Sequence, residues 1–83
     1  MDVKELLQAV KNAKNITGDF QDNALEAHIC EVLEYMADAG VSDRVLQSDS
    51  IVGTVVRGVS DLWENGGVLS DYFKQRVCQL SYK

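Results

Sequence analysis

The stretch between Gly18 and Gly40 contains neither glycine nor proline, and this uninterrupted run restricts the possible folds more than any other feature. Its apolar residues recur at offsets of 4, 7, 8 and 11 from the first, which is the periodicity of one face of an α-helix. These residues are Leu25, Ile29, Val32, Leu33 and Met36. The sequence therefore predicts a long central helix at about residues 19–39, near 30 Å in length and closed by Gly40 as a left-handed C-cap.

Shorter helices are predicted on both sides of the long one. The first extends from about Val3 to Lys14 with Asp2 as its N-cap, because an Asp side chain accepts hydrogen bonds from the free N–H groups of a first turn. The last extends from about Asp71 to Leu80 with Ser70 as its N-cap. Residues 41–47 are expected to form an irregular connection, with one short helical turn as the alternative.

The segment after Ser48 is rich in valine and isoleucine, which favour strands. Its apolar positions 52, 55, 56, 59 and 63 nevertheless follow a period of 3.6 and not of 2. The sequence therefore predicts a helix that is capped by Ser48, Asp49 or Ser50 and ends at Gly66-Gly67. The chain reversal at these glycines is expected to bring Trp63 into the core against Phe73 or Val77.

Gly53 and Gly58 fall inside this helix, where each costs about 1 kcal/mol relative to alanine. The close approach of a neighbouring helix, within the fold or between subunits, would account for them. Taken together, the helices predict an all-α fold, a small bundle of about four helices. A chain of 83 residues is expected to form one domain, residues 1–83.

The charge of the chain excludes some partners. Thirteen acidic and eight basic residues leave a net charge of −5, which argues against tight binding to nucleic acid, where a basic face must displace counterions. The longest apolar runs are too short to span a membrane, and the N-terminus is charged from its second residue, unlike a signal peptide. We therefore expect a soluble intracellular protein.

No arrangement typical of an active site is recognisable. The single histidine, His28, has no Ser/His/Asp or Cys/His context, so neither catalysis nor a cofactor is expected. Asp22, Glu26 and Glu31 lie within adjacent turns of His28, but a second chelating half is missing, and a solvated acidic face is favoured over a metal site.

Cys30 and Cys78 are the two cysteines of the chain. They show no Cys-x-x-Cys spacing of the kind that builds a tetrahedral metal site. Two buried thiols in a reducing compartment are favoured over a disulfide.

Asp49-Ser50-Ile51, at the start of a predicted helix, resembles the Asp-Ser-Leu phosphopantetheine attachment site of acyl carrier proteins. Carrier proteins continue with an acidic helix, whereas residues 52–62 here are mainly apolar and include Arg57. A plain helix cap is therefore favoured, and an acyl-carrier-like protein modified at Ser50 remains the alternative.

Two consecutive runs near the C-terminus carry the clearest family likeness, GVSDLWENGG at residues 58–67 and LSDYFKQRVCQL at residues 69–80. They resemble the head-tail connector (adaptor) family of tailed bacteriophages and prophages. The N-terminal half is similar too, with a short Leu/Val/Lys helix, an Ile16-Thr17 turn and a long helix whose first residues include acids. Lys14 departs from the pattern, since a leucine is common there.

The resemblance implies a structural protein without enzymatic activity. Its subunits would assemble as a homo-oligomeric ring under the portal protein, extend the DNA conduit and present a docking surface for a head-completion or tail protein. DNA would pass through without sequence-specific binding, and no membrane is involved. The expected location is the neck of the virion, after assembly in the host bacterial cytoplasm. A small regulatory interaction protein of a mobile element is a further alternative, for which the sequence gives no positive feature.

Two sets of residues are candidate contacts. Family likeness suggests that the C-terminal end meets the portal, and aromatic and Arg side chains dominate interface hot spots. The partner-binding candidates are Tyr72, Arg76, Tyr82 and Lys83. A conduit for a polyanion works best if its wall does not bind it, although a solvated surface helix explains the acids equally well. The conduit-facing candidates are Glu26, Glu31, Glu34 and Asp38.

Overall fold

The computed structural model describes residues 2–64 and 66–83, and they form a bundle of helices. In chain order these are α1 (Val3–Lys14), α2 (Asp22–Asp38), α3 (Asp43–Leu46), α4 (Val52–Glu64) and α5 (Asp71–Ser81), with a 3-10 turn at Asp49–Ile51 before α4. No residue in these two stretches lies in a β-strand. The prediction of a small all-α bundle is confirmed.

Helix α2 lies at the centre of the bundle, where it packs against both α1 and α4. Its fully buried residues all belong to the predicted stripe: Leu25, Ile29, Val32 and Met36. The helix begins at Asp22 instead of near residue 19, since residues 19–21 form a turn and Gln21 makes no capping hydrogen bond with its side chain. Its 17 residues therefore extend about 25 Å. Gly40 has a φ of 99°, so the predicted left-handed stop is confirmed.

The predicted N-caps of the first and last helices are confirmed. An Asp2 carboxylate oxygen accepts hydrogen bonds from the N–H groups of Lys4 at 2.6 Å and Glu5 at 3.3 Å. The Ser70 hydroxyl oxygen accepts one from the N–H of Phe73 at 3.2 Å. Each bond satisfies a donor that has no partner within its own helix.

The connection between α2 and α4 is more regular than the sequence analysis expected. Ser42 caps the short helix α3 by accepting a hydrogen bond from the N–H of Val45 at 3.3 Å, and Val45 is buried. Of the three predicted cap residues, Ser48 is the N-cap residue of the 3-10 turn that precedes α4, and Asp49 and Ser50 lie inside that turn. The Ser48 hydroxyl donates to the Val45 carbonyl at 2.7 Å and accepts no capping hydrogen bond from the turn.

The buried face of α4 is rotated relative to the predicted one. Val52, Val56 and Trp63 are only half-buried, at the edge of the core. Val55 and Val59 are buried as predicted, and the buried face also includes Thr54, Gly58, Asp61 and Leu62. Three of these six, Thr54, Gly58 and Asp61, are not large apolar residues, so the spacing of apolar residues alone could not locate the buried face.

Gly58 lies where three helices meet. A Cβ atom at this position would be 2.5 Å from Cε1 of Phe73 and 3.0 Å from Cγ2 of Val32. Phe73 is completely buried and therefore has no room to move. The close approach that the sequence analysis inferred is confirmed at Gly58, but at Gly53 no atom lies within 4 Å of the added Cβ position.

A buried carboxylate joins α4 to the start of α5. One oxygen of Asp61, a residue only 7% exposed, accepts hydrogen bonds from the Ser70 hydroxyl at 2.7 Å and the Ser70 N–H at 3.1 Å. The Ser70 hydroxyl is at the same time the acceptor that caps α5. A single chain of hydrogen bonds thus fixes the angle at which α5 begins.

Replacing the two α4 glycines by alanine should change stability in opposite directions. Gly58→Ala is expected to lower the free energy of unfolding by about 1 to 2 kcal/mol, because the overlap with Phe73 and Val32 outweighs the gain in helix propensity. Gly53→Ala is expected to raise it by up to about 1 kcal/mol, since the added methyl group meets nothing. Urea unfolding followed by circular dichroism measures both. A Gly58→Ala variant at least as stable as the wild type would contradict the account of Gly58, and a destabilised Gly53→Ala variant would contradict that of Gly53.

Asp61→Ala should destabilise the fold by about 2 kcal/mol, because it leaves the N–H and the hydroxyl of Ser70 without their acceptor. Lys74→Ala, an exposed position on α5, is the control and should change the unfolding free energy by less than about 0.5 kcal/mol. Thermal and urea unfolding provide the measurement. Equal stabilities of the two variants would show that the Asp61–Ser70 hydrogen bonds make no net contribution to the free energy of unfolding.

Candidate partner-binding surfaces

The solvent side of α2 carries a row of acids, which we call the acidic face: Glu31, Glu34 and Asp38. These residues are exposed and follow one another at spacings of three and four, so they lie along one side of the helix. None of them forms an ion pair with any residue in 2–64 or 66–83. Helix α2 itself contains no Lys or Arg, and its one ion pair with the described residues is at its first residue, where Asp22 meets Lys11 of α1 at 2.8 Å.

Glu26, the fourth acidic candidate, is not part of this face. It is half-buried, whereas the other three are exposed. It precedes Glu31 by five residues, which turns it by about 140° from that side chain. The structure thus brings three of the four predicted conduit-facing residues together and separates the fourth.

The second surface is a cleft of about 170 Å³ between α4 and α5. We call it the α4–α5 cleft, and its lining is formed by Ser50, Gly53, Thr54, Tyr72 and Arg76. Two of the four predicted partner-binding residues, Tyr72 and Arg76, therefore share one site. They lie four residues apart, one turn of α5 from each other. A wider groove adjoins the cleft at Gly53 and Tyr72 and runs along α4 to the ion pair between Lys14 and Glu64.

The edge of the cleft is positively charged. The guanidinium carbon of Arg57 lies 5.3 Å from the centroid of the Tyr72 ring, within the range of a cation–π interaction. The same side chain lies 3.7 Å from an Asp61 oxygen, so it is held from two sides although it is 52% exposed. Arg76 is oriented by a hydrogen bond of 2.5 Å to the Gln79 side chain.

Tyr82 and Lys83 lie at the far end of α5 and not at the cleft. Tyr82 is 85% exposed beyond the last turn of the helix. The carbonyl oxygen of Lys83 accepts a hydrogen bond of 3.2 Å from Arg44 of α3. The four partner-binding candidates are thus divided between the cleft and the C-terminal tip.

Trp63 and His28 contact each other in the structure. Their rings meet edge to face, with centroids 5.7 Å apart, and both side chains are half-buried. Phe73 has Tyr35 as its aromatic neighbour, at 5.5 Å. Trp63 packs against the edge of the core as a half-buried residue, and its aromatic neighbour is His28 and not Phe73. His28 packs against the indole where a fully solvated side chain was expected.

Both cysteines are free and exposed, so the prediction of buried thiols was wrong. Cys30 follows the buried Ile29, and Cys78 follows the buried Val77. One residue along a helix turns the side chain by about 100°, which is enough to move it from the core to the solvent. Within the described part of the chain, no group of three His, Cys, Asp or Glu side chains is placed to hold a metal ion.

Phe20 is an exposed aromatic residue that the sequence analysis did not single out. It is 96% exposed in the turn before α2, and Val68 is 62% exposed in the connection between α4 and α5. Both connections lie at one end of the bundle, since Lys14 at the end of α1 contacts Glu64 at the end of α4. The sequence did contain a signal for this exposed residue, since Phe20 is a phenylalanine in a polar turn and belongs to no helical apolar stripe.

Ser50 is exposed in the 3-10 turn before α4. Its hydroxyl oxygen lies 2.6 Å from that of Ser48. The residue is therefore open to solvent at the start of a helix, as an attachment serine would need to be.

None of the helices in residues 2–64 and 66–83 has both the length and the hydropathy that are needed to cross a bilayer. Comparison with protein-family models, with curated protein sequences and with solved structures finds no significant match to this chain.

Proposed function

We propose that this chain is a subunit of a head-tail connector, or adaptor, of a tailed bacteriophage or prophage. In this proposal it catalyses no reaction. Copies form a ring between the portal and the head-completion or tail proteins and extend the channel through which DNA passes. The observation that carries the proposal is the likeness of residues 58–80 to that family, which covers the second half of α4, the glycine turn and α5.

The packing of these residues supports a role in binding partners. Much of the apolar spacing in the run is explained by the core, because Val59, Leu62, Phe73 and Val77 are buried. The fold does not explain an exposed tyrosine and a half-buried arginine side by side at a cleft, where Tyr72 is 57% exposed. Aromatic residues and Arg are enriched at interface hot spots, so these positions suit a surface that meets another protein.

The distribution of charge is compatible with a DNA conduit. The chain carries thirteen acidic and eight basic residues, a net charge of −5, so a ring of its copies is negatively charged. A negatively charged wall repels the phosphate backbone and avoids the counterion release that holds DNA on a basic surface. DNA would therefore slide past such a ring without being retained.

The location of the chain in the virion tests this proposal. In the phage or prophage that encodes it, we expect the gene to lie between the capsid and tail genes. We also expect an N-terminally tagged copy, detected with gold-labelled antibody by electron microscopy, to lie at the neck. Deletion of the gene should leave DNA-filled heads without attached tails. Normal virions from the deletion strain, or label elsewhere than at the neck, would refute the proposal.

An acyl-carrier-like function is the second candidate, favoured by one observation, the exposure of Ser50 at the start of a helix. Incubation with a phosphopantetheinyl transferase and coenzyme A separates the two. We expect an unchanged mass, because the helix that follows lacks the acidic surface typical of carrier proteins. Mass spectrometry that showed one prosthetic arm, absent from a Ser50→Ala variant, would favour the carrier function instead.

A further inference from the structure

We propose that the acidic face of α2 in one copy docks into the α4–α5 cleft of the next copy. This interface rests on the proposed ring and names the two surfaces that would join its subunits. It pairs Glu31, Glu34 and Asp38 of one subunit with Arg57, Tyr72 and Arg76 of its neighbour.

The two surfaces lie on opposite sides of one molecule. Gly58 faces Val32 of α2, and Gly53, five residues earlier on α4, is turned by about 140° from that direction. On α2, Glu34 is turned by about 160° from Val32, and so away from the core. Neither surface can therefore neutralise the other within one chain.

The charges of the two surfaces are complementary. The acidic face presents three carboxylates with no ion pair in the described part of the chain, and the cleft presents two guanidinium groups at its edge and wall. The contacts of Arg57 with Tyr72 and Asp61 restrict its side chain before any partner arrives. Such restriction lowers the entropy lost on binding, which favours a specific contact.

Thr54 places a hydroxyl group in the lining of the cleft. The residue is only 4% exposed, but its side chain makes no hydrogen bond to any described residue and its oxygen is not fully buried. The hydroxyl can therefore donate to a group that enters the cleft. A carboxylate from the acidic face is an acceptor of this kind.

Gly53 leaves space in the cleft but lowers the stability of helix α4. No atom lies within 4 Å of the position that its Cβ would take, so the space is not needed for packing inside this chain. A glycine within a helix still costs about 1 kcal/mol relative to alanine. Space for the side chains of a second copy accounts for a residue that the isolated fold does not require.

Two different surfaces that bind each other produce head-to-tail contacts. Repetition of such a contact by one rotation generates a closed ring, or an open filament if the rotation does not close. A contact in which both copies use the same surface would instead give a dimer and no larger assembly. The arrangement of charge therefore suits the ring that the proposed function needs.

Charge reversal tests the interface. The association constant is measured by sedimentation equilibrium at about 20 mM NaCl, where screening is weak. Glu31→Lys with Glu34→Lys should weaken self-association at least about tenfold, and so should Arg57→Gln with Arg76→Glu, because each places like charges opposite each other. Two exposed pairs, Glu5→Lys with Asp19→Lys and Lys4→Glu with Lys74→Gln, are controls that change the net charge equally and should retain association.

Combining both reversals in one chain gives the decisive variant. The two cations introduced on α2 then meet the carboxylate introduced at position 76, so association should be stronger than in either parent variant. Gly53→Leu, which fills the cleft with an apolar side chain but changes no charge, should fold normally and weaken association. Failure of the combined variant to recover, while it remains folded, would overturn the interface.

The interface and the proposed function fail in different ways. A wild-type protein that stays monomeric at about 1 mM and low salt overturns the interface, since three carboxylates without ion pairs that face two guanidinium groups should give at least millimolar affinity. Gold label at the neck of the virion would still support the connector function in that case. Association that depends on these residues, in a protein absent from the neck, would retain the interface and refute the function.

Discussion

The arrangement of α5 depends on a missing side chain. Because Gly58 has no Cβ, the Phe73 ring of α5 and the Val32 side chain of α2 can both lie directly against the α4 backbone. Phe73 is the largest fully buried side chain of the chain's described part, and it is placed in a space that any other residue at 58 would occupy. Contact among α2, α4 and α5 is therefore determined by one glycine.

Hydrogen bonds complete what this contact begins. Asp61 lies three residues beyond Gly58 on α4 and binds both the N–H and the hydroxyl of Ser70. Ser70 in turn caps the helix that carries Phe73, so the apolar contact and the polar contact fix the same helix at two points. Because α5 is held in this way, Tyr72 and Arg76 lie opposite Gly53 in the lining of the cleft. The cleft is thus a consequence of how the core is closed.

Local signals in the sequence were enough to predict the four longer helices and several of their ends, although not the start of α2. The α2 stripe, the Asp2 and Ser70 caps and the left-handed Gly40 all depend on residues close together in the chain, where spacing and capping rules apply directly. The buried face of α4 was predicted less well, because Asp61 and Gly58 are buried for reasons that involve other helices. The acidic residues of α2 were recognisable from spacing alone, but the cleft was not, since it exists only where α4 and α5 meet.

The acidic face also has a cost within α2 itself. Asp38 lies in the last turn, where the helix dipole favours a cation, and no basic residue is present there. Glu34 and Asp38 are four residues apart, a spacing at which like charges repel along a helix. The central helix of the bundle therefore carries acids that lower its own stability. Natural proteins often retain residues that lower stability where function requires them. Neutral residues in place of the acidic face should therefore raise the free energy of unfolding.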